Sequence, residues 1–133
     1  MTVKELSQLY YLNREIEMDK QKLVELKTAV QNPASPNYSG MPRGGGSDNR
    51  LERYIAEIVD LEAIISAKLT QCIHERARLE RYISDIPDSL TRQVFTLRFI
   101  NGLSWVQTAF SVGGGNTAVG VRQRVYRYLQ ETK

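Results

Sequence analysis

Apolar residues recur every three or four positions in two long stretches of the chain, residues 4–30 and 51–83. This spacing places the apolar side chains on one narrow stripe of an α-helix. Charged residues of both signs flank each stripe, as they do along the seam of a coiled coil. Such a polar helix is not stable alone and must bury its stripe against a partner. The pattern therefore predicts two long helices in an antiparallel, coiled-coil-like hairpin, formed within one chain or exchanged between two copies.

The residues that form the two predicted seams are mainly leucine and isoleucine. The first seam consists of Leu9, Leu12, Ile16, Leu23, Leu26 and Val30, and the second of Leu51, Ile55, Ile58, Ile65, Leu69, Cys72, Leu79 and Ile83. The connection between them, residues 32–49, holds three of the four prolines and four of the nine glycines. Because proline and glycine interrupt helices, this stretch is predicted to be a flexible loop. Residues 1–83 are therefore predicted to form a helical arm.

Residues 84–133 show a different pattern, with short helices separated by strong stop signals. Pro87 ends the long helix, and the helical spacing resumes at Leu90. Asn101-Gly102 stops this next helix, because both residue types accept the conformation found after a helix C-terminus. Ser104 and Gln107 then have the spacing of a capping box, in which each side chain bonds the backbone amide of the other residue. A second short helix is predicted to follow, through about residue 111.

Three consecutive glycines, Gly113 to Gly115, are predicted to end this second helix in a turn. Ala109 precedes the turn by four residues and is small enough for two helices to approach closely. Asn116 or Thr117 can cap a third, longer helix that carries several arginines. A short capped helix, a glycine turn and an arginine-bearing helix together are typical of a helix-turn-helix. The predicted fold is therefore all-α, with a helical hairpin arm followed by a three-helix DNA-binding domain.

The third helix is predicted to be the DNA-recognition helix. Its apolar face contains Ala118, Val121, Val125 and Leu129. The candidate DNA-binding residues lie at its start or between these apolar positions, and they are Asn116, Thr117, Ala118, Val119, Arg122, Gln123, Arg124 and Arg127. Gln123 is expected to contact a base edge and Arg127 a phosphate. For Arg124 two roles stay open, a phosphate contact or an ion pair with Asp85 or Asp88.

Charge and composition support this interpretation. The net charge is +3, but residues 84–133 carry six positive and three negative side chains. Such an excess favours a polyanionic partner, here double-stranded DNA. The chain has a single cysteine, charges interleaved through its first residues, and no apolar run of bilayer length. We therefore expect a cytoplasmic protein with no membrane partner. The sequence shows no metal-ligand spacing and no nucleophile–base pair, so no metal, cofactor or enzymatic activity is expected.

The segment IPDSLTRQVFTLRFINGLSWVQTAF, residues 86–110, resembles region 4 of sigma-70-class sigma factors. Val121, Arg124, Val125, Arg127 and Leu129 fall at the corresponding positions of that family's recognition helix, after a turn about two residues longer than usual. The resemblance implies a helix-turn-helix that binds DNA. It also implies RNA polymerase as a further partner.

The chain as a whole is similar to phage and prophage proteins of unknown function from low-GC Gram-positive bacteria. The motifs SGMPRGGG, residues 39–46, and GGGNTAVGVRQRVYRYL, residues 113–129, carry this similarity. It implies a transcriptional regulator like those of phage late genes. The narrow seams of the N-terminal helices further predict that the arm dimerises or grips a partner. Two alternatives stay open. One is an interaction module that binds RNA polymerase or a phage protein, and the other is a DNA-packaging recognition subunit.

Overall fold

The computed structural model describes residues 1–31 and 46–133, and every regular element in these ranges is helical. The elements are α1 (Val3–Leu6), α2 (Gln8–Gln31), α3 (Gly46–Ser84), α4 (Ser89–Phe95) with a π-helical continuation (Thr96–Ile100), α5 (Trp105–Val112) and α6 (Ala118–Glu131). The all-α prediction is therefore confirmed for this part of the chain.

The long helices begin at different residues from those predicted. The first predicted helix is divided at Ser7, which ends α1 before α2 begins. The second begins at Gly46 rather than at residue 51, so the end of the predicted loop is helical. The sequence contains no proline or glycine between Gly46 and Pro87, and nothing there interrupts a helix. The rest of the predicted loop, residues 32–45, lies outside the described residues.

The described chain divides into two compact units, one of residues 1–13 with 71–133 and one of residues 14–70. The first unit differs from the predicted domain 84–133, because it also includes the end of α3 and the start of the chain. Its apolar core is formed by Leu6, Leu9, Leu79, Ile83, Ile86, Val94, Phe95, Phe99, Ala109, Val121, Val125 and Leu129. Apolar side chains from both ends of the predicted arm are thus buried together with apolar side chains of α4 to α6. This burial is favourable because it removes apolar surface from water.

An aromatic cluster lies at the centre of this first unit. Phe95 is fully buried, and its ring centroid lies 5.5 Å from that of Phe99 and 5.5 Å from that of Tyr128. The ring of Tyr82, on α3, is 6.3 Å away. Offset or edge-to-face rings at these separations attract one another beyond the effect of burial. Phe95 therefore links α3 and α6 through α4, and this fixes the position of α6.

In the second unit, α2 and α3 contact each other through apolar side chains and ion pairs. Ile16, Leu61 and Ile65 are buried. Lys68 Nζ lies 2.6 Å from Asp19 Oδ2, and a second lysine, Lys27, pairs with Glu62 at 3.3 Å. The hydrogen bond with Asp19 raises the pKa of Lys68 above its usual range. The two ion pairs occur in opposite order along the two helices. Asp19 precedes Lys27 in α2, whereas its partner Lys68 follows Glu62 in α3.

The buried stripe of α3 in this unit is rotated from the predicted seam. Leu51, Ile55 and Leu69 were expected to be buried, but all three side chains are exposed. Leu61, which was not assigned to the seam, is buried together with Ile65. The two sets lie on adjacent faces, because successive helical residues turn by about 100°. The prediction is confirmed for the buried Ile65 and wrong for Leu51, Ile55 and Leu69, because α3 carries apolar residues on adjacent faces and spacing alone does not identify the packed one.

Replacing Ile65 with aspartate is expected to lower the free energy of unfolding by about 3 kcal/mol, because an unpaired charge would enter the buried stripe. The matched control is Ile64→Asp, since the adjacent Ile64 is exposed. Urea unfolding followed by circular dichroism measures both variants. Equal stability of the two would contradict the packing of this unit.

Candidate nucleic-acid interface

The first helix of the candidate interface, α5, begins at the predicted capping box. Ser104 Oγ accepts a hydrogen bond from Gln107 N at 3.1 Å, and Gln107 Oε1 accepts one from Ser104 N at 2.9 Å. The two side chains satisfy amides that have no partner within the helix. This prediction is confirmed, and the direction in which α5 leaves its preceding loop is thereby fixed.

The turn between α5 and α6 begins with three glycines that have positive φ. Gly113, Gly114 and Gly115 have φ angles of 66°, 64° and 75°. Residues with a Cβ rarely adopt this conformation, and glycine adopts it readily. Gly113 N donates to Ala109 O at 3.1 Å and closes the end of α5. Ala109 is buried, as its predicted role in close helix packing requires.

The start of α6 is fixed by Thr117 and by the residue before it. Thr117 Oγ1 accepts from Gly120 N at 3.0 Å, so Thr117 is the N-cap. Asn116 Nδ2 donates to Gly113 O at 2.7 Å and stabilises the glycine turn. Both side chains were candidate DNA contacts. The structure places them at the N-terminal end of α6, and each already has a partner within the protein.

The two faces of α6 differ clearly in burial. Val121, Val125 and Leu129 are buried, whereas Ala118 is only half-buried. The exposed candidates are Val119, Arg122, Gln123 and Arg127. A helix fixed by its apolar face and carrying cations and an amide on the other can present them to a groove in DNA. The structure therefore places these four candidates on the exposed side of one fixed helix.

Arg124 is held within the protein. Its Nη1 lies 3.3 Å from Asp88 Oδ2 and 3.5 Å from Thr91 Oγ1. Asp88 also caps α4, where Thr91 donates to it from both its hydroxyl and its backbone amide. These hydrogen bonds from Thr91, with a smaller contribution from the Arg124 charge, lower the pKa of Asp88. Of the two roles left open for Arg124, the structure shows the ion pair with Asp88.

A row of two aromatic rings with an arginine at each end joins α6, α5 and the π-helical continuation of α4. The guanidinium of Arg122 lies over the ring of Tyr126, 5.3 Å from its centroid. The centroid of the Tyr126 ring is 6.4 Å from that of the Trp105 ring. The guanidinium of Arg98 lies over the Trp105 ring, 4.4 Å from its centroid. Arg98 Nη1 also donates to Leu103 O at 2.9 Å. Contacts between cations and aromatic faces are favourable, so the row holds the exposed part of α6 against the start of α5.

Sequence reasoning did not assign Arg98 to this surface. Arg98 lies between Leu97 and Phe99 in the π-helical continuation of α4, where α-helical spacing does not predict the direction of a side chain. In the sequence Arg98 precedes Trp105 by seven residues, and this separation did not indicate that the two side chains stack. The structure adds Arg98 as a residue that positions the aromatic row.

Comparison of the chain with protein-family models, curated proteins and solved structures finds no match. Within residues 1–31 and 46–133, no helix has both the length and the apolar character to cross a membrane. Within the same ranges, no group of three or more His, Cys, Asp or Glu side chains is placed to hold a metal ion.

Proposed function

We propose that this protein is a sequence-specific DNA-binding regulator of transcription that acts on phage or prophage genes. The observation that carries the proposal is the exposed face of α6, where Arg122, Gln123 and Arg127 lie opposite the buried Val121 and Val125. The capped α5, the glycine turn and α6 then act as a helix-turn-helix of the sigma region 4 type, with α4 as the third helix.

In the proposed complex the N-terminal half of α6 lies in the major groove, as recognition helices do. Gln123 donates to and accepts from a base edge, an arrangement that suits adenine. The exposed methyl groups of Val119 suit the methyl group of thymine. Arg122 and Arg127 bind phosphates and set the position of the helix without selecting a base. Arg124 contributes indirectly, because its pair with Asp88 connects α6 to the start of α4.

The N-terminal helices are proposed to form the long antiparallel hairpin arm. The order of the ion pairs between α2 and α3 supports this arrangement, since Lys27 pairs with Glu62 and Asp19 with Lys68. The arm in turn is proposed to join two copies, and a dimer of this kind binds two half-sites about one helical turn of DNA apart. The exposed Leu51, Ile55 and Leu69 supply apolar surface for such a contact.

Selection of bound duplexes from a random DNA library tests the proposal. We expect wild type to enrich a defined sequence, and Gln123→Ala to lose discrimination at one base pair by about 1–3 kcal/mol while keeping most of its affinity. Gln130→Ala is the matched control, because Gln130 is an exposed glutamine two turns further along α6. A library that stays random after selection with wild type would contradict the proposal.

A second candidate function is a protein-interaction module that binds RNA polymerase or a phage protein. The observation that favours it is on α5, where Phe110 is 88% exposed and Val106 is 69% exposed. The phosphate backbone of DNA offers these apolar side chains no complementary group, and contiguous exposed apolar surface marks protein contacts. Absence of duplex binding at low salt would favour this function over the first.

A further inference from the structure

A groove of about 630 Å³ lies on the surface of the first unit, between the end of α3, α4 with its π-helical continuation, and α5. Its apolar lining comes from Ile83, Leu97 and Ile100. Ser111 is the residue of α5 that lines it. The groove is on elements other than α6, so the candidate DNA-binding residues do not line it.

The charged residues around the groove are already paired within the protein. Arg76 Nε lies 2.8 Å from Glu80 Oε1. Arg92 Nη1 donates to Ile86 O at 2.7 Å and to Pro87 O at 3.0 Å. An incoming charge would therefore lose its hydration without gaining a partner from these groups, and that is costly. The other polar lining residues carry hydroxyl or amide groups, so the groove suits an uncharged side chain that covers its apolar part.

The chain itself carries such a side chain beside the groove. Phe110 directly precedes the groove-lining Ser111, and its ring is the most exposed of the large apolar side chains in the described residues. Val106, one helical turn earlier, is exposed too. Phe110 does not line the groove of its own chain. Exposed phenylalanine is unfavourable in water, so a contact that buries it is stabilising.

We propose that two copies of this chain associate through α5, each placing Phe110 in the groove of the other. The same chain provides the apolar ring and a groove whose charged side chains are already paired, and the ring and the groove adjoin at Ser111. A contact between identical surfaces around a two-fold axis therefore makes both insertions at once and closes the assembly as a dimer. This contact does not depend on DNA binding, and it is distinct from association through the arm.

The first test is the self-association of the full-length chain without DNA, measured by sedimentation velocity over a concentration series. Phe110→Ser is expected to weaken association about tenfold or more, because a central aromatic side chain carries much of the binding energy of an interface. Val119→Ser is the matched control and is expected to associate like wild type, since Val119 is similarly exposed but lies on α6.

The second test changes the groove and leaves Phe110 intact. Gln93 is an exposed residue on the groove wall, and Gln93→Trp is expected to fill the groove and weaken association as much as Phe110→Ser. An equimolar mixture of these two variants should associate more strongly than either alone. The Phe110→Ser chain keeps an open groove and the Gln93→Trp chain keeps its Phe110, so one of the two insertions is restored.

Three results would overturn the proposal. The first is a wild type that stays monomeric at all concentrations, which would assign Phe110 to another protein. The second is a Phe110→Ser variant that associates like wild type, which would assign the dimer to the arm. The third is a mixture that associates no more strongly than the separate variants, which would show that the ring and the groove do not meet.

Discussion

Replacing Arg122 and Arg127 together with alanine is expected to weaken binding of duplex DNA by about a hundredfold at low salt. Each side chain is exposed on α6 and is proposed to bind one phosphate. A hydrogen bond to a charged group contributes ~1.5 kcal/mol or more, so two lost contacts give this loss. The loss should be similar for all sequences, because phosphates carry no base information.

A salt series measured by fluorescence anisotropy tests this expectation. The slope of the logarithm of affinity against the logarithm of salt concentration should fall in magnitude by about two, one for each lost phosphate contact. Arg124→Ala is the matched control, because it removes an arginine of α6 that is paired with Asp88. The slope for Arg124→Ala should change less than the slope for the double variant. Equal slopes for wild type and the double variant would show that this face does not bind DNA.

Replacing Phe95 with alanine is expected to have the largest effect on stability, a loss of ~3–5 kcal/mol. Phe95 is fully buried, and its ring packs against those of Phe99, Tyr128 and Tyr82. Removing the ring leaves a cavity and breaks contacts on α3 and α6 together. Because the same ring fixes α6, the variant should lose DNA affinity at temperatures where wild type is still folded.

Urea unfolding of Phe95→Ala is best compared with that of Phe110→Ala, since Phe110 is almost fully exposed. The exposed position should change the free energy of unfolding by no more than about 0.5 kcal/mol. The comparison is made on dilute protein, where association through α5 does not contribute. Similar losses at the two positions would contradict the burial of Phe95 at the centre of the first unit.

The ends of the short helices could be predicted from sequence because they depend on local contacts. The capping box of Ser104 and Gln107 needs only residues three positions apart, and the structure contains both of its hydrogen bonds. Gly113 ends α5 and Thr117 caps α6 for the same reason. The exposure of Arg122 and Gln123 followed from helical periodicity once those ends were fixed.

The remaining features depend on residues far apart in sequence, and spacing did not reveal them. The burial of Leu61 in place of Leu69 depends on which face of α3 meets α2. The inclusion of Leu6 and Leu79 in one core depends on how distant helices pack. In the candidate site, the contact between the rings of Tyr126 and Trp105 is of the same kind.

Trp105 is the only tryptophan in the chain, and its place in the aromatic row has a practical consequence. Its indole lies between the guanidinium of Arg98 and the ring of Tyr126, which also contacts Arg122. Any ligand that engages Arg122 changes the polarity and quenching around a single fluorophore. The protein therefore contains an intrinsic optical probe of α6, and its emission spectrum can follow occupancy without a label.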